Sequence, residues 1–429
     1  MTGARRGPGP GARRRDAPGR AASGALVCLA AAGLTATGCQ SPVPFHRPGQ
    51  GGPGAPAVAL GGPAPYAPDD TVRRGHPSAA GPGGRRAPAT GRAAGTGPDR
   101  VDVYAATGPG MLGPVARALP PRVYVPNAGT GTADVIDQRT GRLVGRVRTG
   151  GTPSQIVPSW DLRRLWVSDP GHGRVQAIGP RYGHRGRPLP VDRPGPLYFT
   201  PDGRAALVLA GRYARIDLRD PRTMRPLGSV RLPCAGAHRA DFTADAGSLV
   251  TLCPAVGGVV RVDPYRRRVT GTLRLPAGSR PADLRLSPDG SVFYVTDPAK
   301  GGLWLVDAAR LRATGFVPTG PGARGLVLGR GSRLLYVLGG GGAVSAFDLA
   351  TRRVSPLWRV PGGGTPVPGG VTADGAELWL SDPAGGMVYA VSTRTGRPVH
   401  AVRVGGRPGG PCVSPQPARY SLGGPGLYR

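Results

Sequence analysis

The residues with the clearest chemical potential are acidic and recur at equivalent positions. Asn127, Asp169, Asp297 and Asp382 each close the second strand of a repeating unit, where other units hold Ala210, Cys253 and Gly339. Carboxylates gathered on one face of a ring would form an acidic rim able to hold a cation at a channel mouth. The alternative is structural. Asp169, Asp297 and Asp382 each precede Pro, and in an Asp-Pro-x-x turn the Asp accepts backbone hydrogen bonds while Pro presets φ. Asp137, Asp263, Asp307 and Asp348 close third strands and read the same way. The repeats also carry His172, His184, His238 and His400, with no metal-ligand spacing and no Cys-x-x-Cys, so no metal and no cofactor are expected. His172 and His238 fall on turns of the same face as the rim. With Asp169, Arg239, Asp297, Asp382 and Cys412 they make up a candidate channel-mouth ligand site.

Three cysteines of the repeat region remain. Strand order puts Cys234, in a link, and Cys253, at a strand end, on one face. An exported chain can oxidise them, which makes the pair a disulfide candidate. Closing a loop of about 20 residues is worth roughly 3 kcal/mol in the chain-entropy model. The alternative is two small buried apolar side chains. Cys412 starts an inner strand near the channel, either as a free thiol or as a small residue that fits. Recognisable catalytic motifs are absent from the sequence: there is no Gly-x-Ser-x-Gly and no His-Glu-x-x-His, and Lys300 follows Ala299 rather than the Gly of a Walker A loop.

These residues are positioned by a repeat. A Ser/Thr-Pro-Asp-Gly-like step precedes an apolar, aromatic strand seven times, with anchors at Asp161, Asp202, Asp245, Asp289, Gly331, Asp374 and Gln416. The spacings are 41, 43, 44, 42, 43 and 42 residues. A period in the low forties built from short strands predicts an all-β fold, a β-propeller, in which one four-stranded blade cannot bury its faces alone. Inner strands are expected near residues 154–158, 195–199, 239–243, 282–286, 324–328, 368–372 and 411–414. The unit that begins at Val123 has no inner strand before it, and the strand at 411–414 has no outer set after it. The two are expected to pair, giving a seven-bladed ring with no open sheet edge. Ahead of the ring, VDVYAAT (101–107) reads as a strand and residues 111–119 as a short helical turn.

The chain before the ring reads as an export signal and a tether. Arg5, Arg6, Arg13, Arg14, Arg15 and Arg20 precede an apolar run, ALVCLAAAGLT, at 25–35, which is too short to span a bilayer. Ala36-Thr37-Gly38-Cys39 then resembles a bacterial lipobox, which implies cleavage after residue 38 and lipidation of Cys39; the alternative is an ordinary secretory signal. Stable anchoring takes more than one acyl chain. Residues 39–100 are rich in Pro, Gly, Ala and Arg and poor in large apolar residues, the composition of a disordered tether. The propeller is expected over residues 101–429.

The formal net charge is +32, with Lys and Glu each occurring once, at Lys300 and Glu377. Such a chain attracts anionic partners, although GC-rich coding also favours Arg, Gly, Pro and Ala. No run of five basic residues and no basic helical stripe occurs, which argues against a dedicated nucleic-acid module.

The fragments RVYVPNAGTGTADVIDQRTGRLVGRVRTGGTP (122–153), VPSWDLRRLWVSD (157–169), LYFTPDGR (197–204), ADFTADAG (240–247), LSPDGSVFYVTD (286–297) and PQPARYSLG (415–423) resemble actinobacterial YVTN-repeat, YncE-like propeller lipoproteins. The resemblance spans about residues 101–429. It implies a fold and an address, namely a lipid anchor on the extracytoplasmic face of the cell membrane, and little about activity. In that family several inner strands begin with His, whereas Gln155, Arg239, Arg324 and Gly409 stand there in this chain. WD40 and quinoprotein propellers fit less well, because Trp160-Asp161 sits in a turn and no docking Trp follows the Asp137–Gly141 turn. The expectation is a monomeric, membrane-anchored scaffold that binds an envelope protein or an anionic wall polymer. A propeller hydrolase of the lactonase type, or a metal-dependent enzyme, with its site at the channel mouth, is the alternative.

Overall fold

A blade's inner strands are apolar on both sides and its outermost strand on one, so its faces must be covered by neighbouring blades. The computed structural model describes residues 102–429 apart from Tyr182, Pro356 and Leu357. The expected signal, tether and Cys39 lie outside the described residues. The fifth blade shows the pattern. Its strands Leu284–Leu286 and Val292–Asp297 are almost wholly buried, whereas the outer strand Arg312–Pro318 alternates with solvent. Leu284, Phe293, Val295 and Val306 pack face to face with Val250, Leu252 and Val259 of the fourth blade. Each such side chain contributes about 1.5–3 kcal/mol when removed from water, and only a closed ring removes all of them.

Seven antiparallel sheets make up the described chain. The inner strands are Cys412–Ser414, Gln155–Pro158, Leu197–Phe199, Ala240–Phe242, Leu284–Leu286, Gly325–Leu328 and Val367–Val371, for blades one to seven. The ring closes as the sequence requires. Cys412, Val413 and Ser414 pair antiparallel with Tyr124, Val123 and Arg122 of the first repeat strand.

The anchor turns have one chemistry in five blades. In blade five, Asp289 Oδ1 accepts from the Ser287 hydroxyl and the Ser291 amide, while Ser287 Oγ accepts from the Val292 amide. Asp161, Asp202, Asp245 and Asp374 repeat these bonds with Ser159, Thr200, Thr243 and Thr372. Gly331 and Gln416 carry no such carboxylate. Asp137, Asp263, Asp307 and Asp348 likewise accept amides of their own turns, from Thr140, Arg266, Arg310 and Thr351.

Two segments depart from the sequence expectation. Residues 102–107 form a turn and a 3-10 helix, Ala105–Thr107, rather than a strand. Asp102 Oδ1 accepts the Tyr104 amide at 2.8 Å, which bends the chain, and the Tyr104 ring is buried with its hydroxyl donating to the Leu286 carbonyl. The helical turn expected over 111–119 is a single turn, Pro114–Arg117. The second departure is the carboxyl terminus. Ser421–Gly423 and Leu427–Tyr428 form a hairpin that extends the third blade's sheet inward past Leu197–Phe199 to six strands, with Gly423 opposite Tyr198. Leu422 and Leu427 are buried against Tyr198 and Leu207. Gly423 has φ +73°, and a Cβ there would lie 2.5 Å from the Leu197 carbonyl oxygen, so close backbone approach requires glycine.

Candidate functional site

Inner strands run from the face bearing the blade-to-blade links toward the face bearing the anchor turns. The link face carries the residues that the sequence singled out, and the structure assigns them to three settings.

The rim carboxylates are clamps. Asp297 Oδ1 accepts amides from Arg280, Ala299 and Lys300 at 3.0–3.3 Å, and its Oδ2 accepts from Trp304 Nε1–H at 2.9 Å. Burial works to raise its pKa, but the Trp304 bond and these amides outweigh it and hold the carboxyl below its ordinary range. Asp169 accepts from the Thr152 and His172 amides and from Arg174 Nε, with His172 Nδ1 3.3 Å from Oδ2. Asp382 accepts the Ala384 amide. Asn127 does the same work, its Oδ1 accepting amides from Gly129 and Arg407. In Asp169, Asp297 and Asn127 the side chain ties the incoming link to the turn that follows the second strand. His172 stays over half exposed beside Asp169. Among the described residues no group of three or more His, Cys, Asp or Glu could hold a metal ion.

The second setting is the same clamp made covalent. Cys253 occupies the clamp position of blade four and is joined to Cys234 in the incoming link, across 19 residues, with Cα atoms 5.9 Å apart.

The third setting is the channel. A cavity of 320 Å³ lies on the ring axis, bordered by inner strands of blades seven, one and two and by His238 and Arg239. Of the sequence candidates, His238, Arg239 and Cys412 line it, whereas Asp169, His172, Asp297 and Asp382 do not. The Cys412 thiol is buried, and desolvation pushes it up to about 12, so it stays protonated at neutral pH. His238 places Nδ1 3.1 Å from the Gly236 carbonyl and Nε2 3.0 Å from the Ala282 carbonyl. Burial first, then the Arg239 charge, lower its pKa, so the neutral ring donates to only one of them. Arg239 Nε lies 3.9 Å from Asp283 Oδ1. Asp283 is itself a bridge between blades, accepting the Leu284 amide on Oδ1 and the Leu326 amide on Oδ2.

The channel's floor is the tail that the repeat pattern does not describe. The turn Gly424-Pro425-Gly426 reaches the cavity, and Arg285 Nη2 donates to the Pro425 carbonyl at 3.0 Å. Arg429 Nη2 donates to Asp241 Oδ1 at 2.7 Å and its guanidinium stacks 4.5 Å over Tyr104. Asp241 Oδ2 also accepts the Leu286 amide. Residues 102–121 cross the same end of the ring, with the Val103 and Gly110 amides donating to the carbonyls of Pro288 and Ala373 beside two anchor turns. One end of the channel is thus covered by residues 102–121 and by the 421–429 segment. Sequence reasoning missed Asp241, Asp283, Arg285, Gln416 and Tyr428. One signal was available: Asp241, Asp283 and Arg285 are charged residues inside otherwise apolar inner strands, where burial without a partner is costly.

No protein-family model and no curated protein matches the chain. Solved structures match at the level of fold. A functionally unknown protein from Desulfotomaculum acetoxidans DSM 771 is 13% identical, with a TM-score of 0.59 over 68% of this chain and 99% of that one. Hydrazine synthase of Kuenenia stuttgartiensis is 15% identical, with a TM-score of 0.55 over 62% of this chain and 90% of that one. The dihydro-heme d1 dehydrogenase NirN in complex with DHE is 14% identical, with a TM-score of 0.54 over 70% and 77%. The chain therefore shares a seven-bladed propeller architecture with proteins that include enzymes. Among the described residues no helix is long and apolar enough to cross a membrane.

Proposed function

We propose that the chain is a YVTN-type propeller lipoprotein, anchored through Cys39 on the extracytoplasmic face of the membrane, that acts as a binding scaffold. Residues 1–38 serve as its signal and 39–100 as its tether. The observation that carries this reading is the inequality of the ring's two faces. The anchor-turn face is covered by residues 102–121 and by the tail, through the Val103, Gly110 and Arg429 contacts. Among the described residues no such segment crosses the link face, and its recurrent carboxylates are engaged by backbone amides. A rigid ring presenting many loops on one side suits partner recognition. The Arg excess directs that recognition to an anionic partner, a wall polymer or an acidic envelope protein.

The test uses the full chain expressed in an exporting bacterium. Cys39→Ala moves it from the membrane to the soluble fraction. Detergent-purified protein is retained on anionic wall polymer at low salt and released by about 1 M salt, where the Debye length is about 3 Å. Membrane retention of the Cys39 variant would refute the anchor, and retention at high salt would refute the electrostatic partner.

A further inference from the structure

The axial cavity is a separate feature from the loops of the link face, and its lining is chemically graded. Arg239 precedes its inner strand at the mouth. Its guanidinium makes no hydrogen bond among the described residues and forms a long ion pair, 3.9 Å, with Asp283, whose oxygens each accept a backbone amide. Gln416 follows the inner strand of blade one and therefore lies at the opposite, covered end. It is 3% exposed, it lines the cavity, its Nε2 donates to the Val371 carbonyl at 3.1 Å, and its Oε1 has no partner. Between the two ends the wall is mostly apolar, formed by Pro368, Gly370, Pro411 and Val413, with Tyr428 beside them. The Tyr428 hydroxyl is held protonated by burial.

A buried acceptor without a donor is costly, and a guanidinium held by an ion pair of 3.9 Å with no hydrogen bond keeps its fork for an oxyanion. From this placement we infer that the axial cavity binds a small organic acid, with its acid group on Arg239, a flat apolar body against the Pro and Gly wall, and a hydroxyl or amine donor on Gln416. The volume is at the lower end for small-molecule sites, which run from about 300 to 1,000 Å³, and suits a single-ring acid. Glycine at 370 makes the room. A Cβ on Gly370 would meet only the Val413 side chain, at 3.6 Å, so a longer side chain would grow into the cavity. Cys412 contributes wall, since its thiol is protonated.

The test is calorimetric titration of the full detergent-purified chain with 4-hydroxybenzoate, benzoate, phenyl phosphate and 4-hydroxybenzyl alcohol. Saturable binding is expected for 4-hydroxybenzoate and weaker binding for benzoate, which lacks the donor. Phenyl phosphate binding tighter than benzoate assigns the mouth to phosphate rather than carboxylate. The neutral alcohol is expected not to bind. Arg239→Gln is expected to weaken 4-hydroxybenzoate roughly 10- to 100-fold, and Gln416→Met roughly 3- to 10-fold, bringing it to the benzoate value. Arg239→Lys keeps the charge without the fork and falls between. Gly370→Leu at an unchanged melting temperature abolishes binding by filling the cavity. Failure of all three acids to bind at millimolar concentration overturns the inference, as does Arg239→Gln or Gly370→Leu binding like the parent. None of these outcomes bears on wall-polymer retention, so the two readings fail separately.

Discussion

Blades four and five solve one problem with different chemistry. Each must tie the incoming link to the turn after its second strand. Blade five uses the Asp297 carboxylate, which gathers amides from both sides and the Trp304 ring N–H. Blade four uses the Cys234–Cys253 bond. The same position is a clamp in blades one, two, four and five, by amide, carboxylate or disulfide, and holds Ala210 and Gly339 in blades three and six, so the repeat sets the place and leaves the chemistry free. This is why recurrence of Asp on the link face points to architecture rather than to a metal or a reaction.

The comparison can be broken by experiment. Cys253→Ser is expected to have the largest effect, a loss of about 3 kcal/mol from a closed loop of this length. Thermal denaturation with and without reductant checks it: reductant lowers the melting temperature of the parent and leaves that of the variant unchanged. Asp297→Ala follows, at about 2 kcal/mol, because the amides it served turn partly to water. Its melting curve is insensitive to reductant, and adding divalent metal shifts neither parent nor variant; a metal shift abolished by the variant would return Asp297 to a binding role. Asp382→Ala, with one amide to release, is expected to cost under about 1 kcal/mol and serves as the internal scale for the other two.

The smallest expected effect is on pH. The folded-state pKa of Asp297 is depressed, and that of Asp348 is held at about 2 by the Thr351 amide and by Arg333. Stability from depressed carboxyls is present above the unfolded value of about 3.9 and is lost as pH falls through the folded values. Melting temperature should thus be flat from neutral pH to about 5 and fall below about 4. Cys253→Ser should keep the parent's slope there, whereas Asp297→Ala should flatten it. Equal slopes in the two variants would mean that Asp297 does not carry its clamp as a carboxylate.

Much of the fold was legible because short-range chemistry repeats. A Ser or Thr two residues before an Asp closes the same hydrogen-bonded turn at Asp161, Asp202, Asp245, Asp289 and Asp374, so a local pattern marked five blades directly. Pairing of Cys412–Ser414 with Arg122–Asn127 followed from the mismatch of the two ends. The strand expected at 101–107 failed for an equally local reason, since the Asp102 side chain captured the Tyr104 amide and bent the chain. Of the candidate site, His238, Arg239 and Cys412 came together at the channel, while Asp169, His172, Asp297 and Asp382 stayed in their own turns. Spacing along the chain gives the face of a ring and not the distance from its axis.

The sequence by itself determined the period, the number of blades, the closing strand and the place of each turn, because all of these follow from alternation and from hydrogen bonds a few residues apart. Only the tertiary structure decided what fills the channel. Ser421–Tyr428 follows the seventh anchor, yet its hairpin joins the sheet of blade three rather than a strand of its own repeat. Arg429 reaches Asp241 across 188 residues, and Gln416 lines a cavity with Arg239 from a different blade. Convergence on an axis depends on the twist and closure of the whole ring, and no window of sequence contains it.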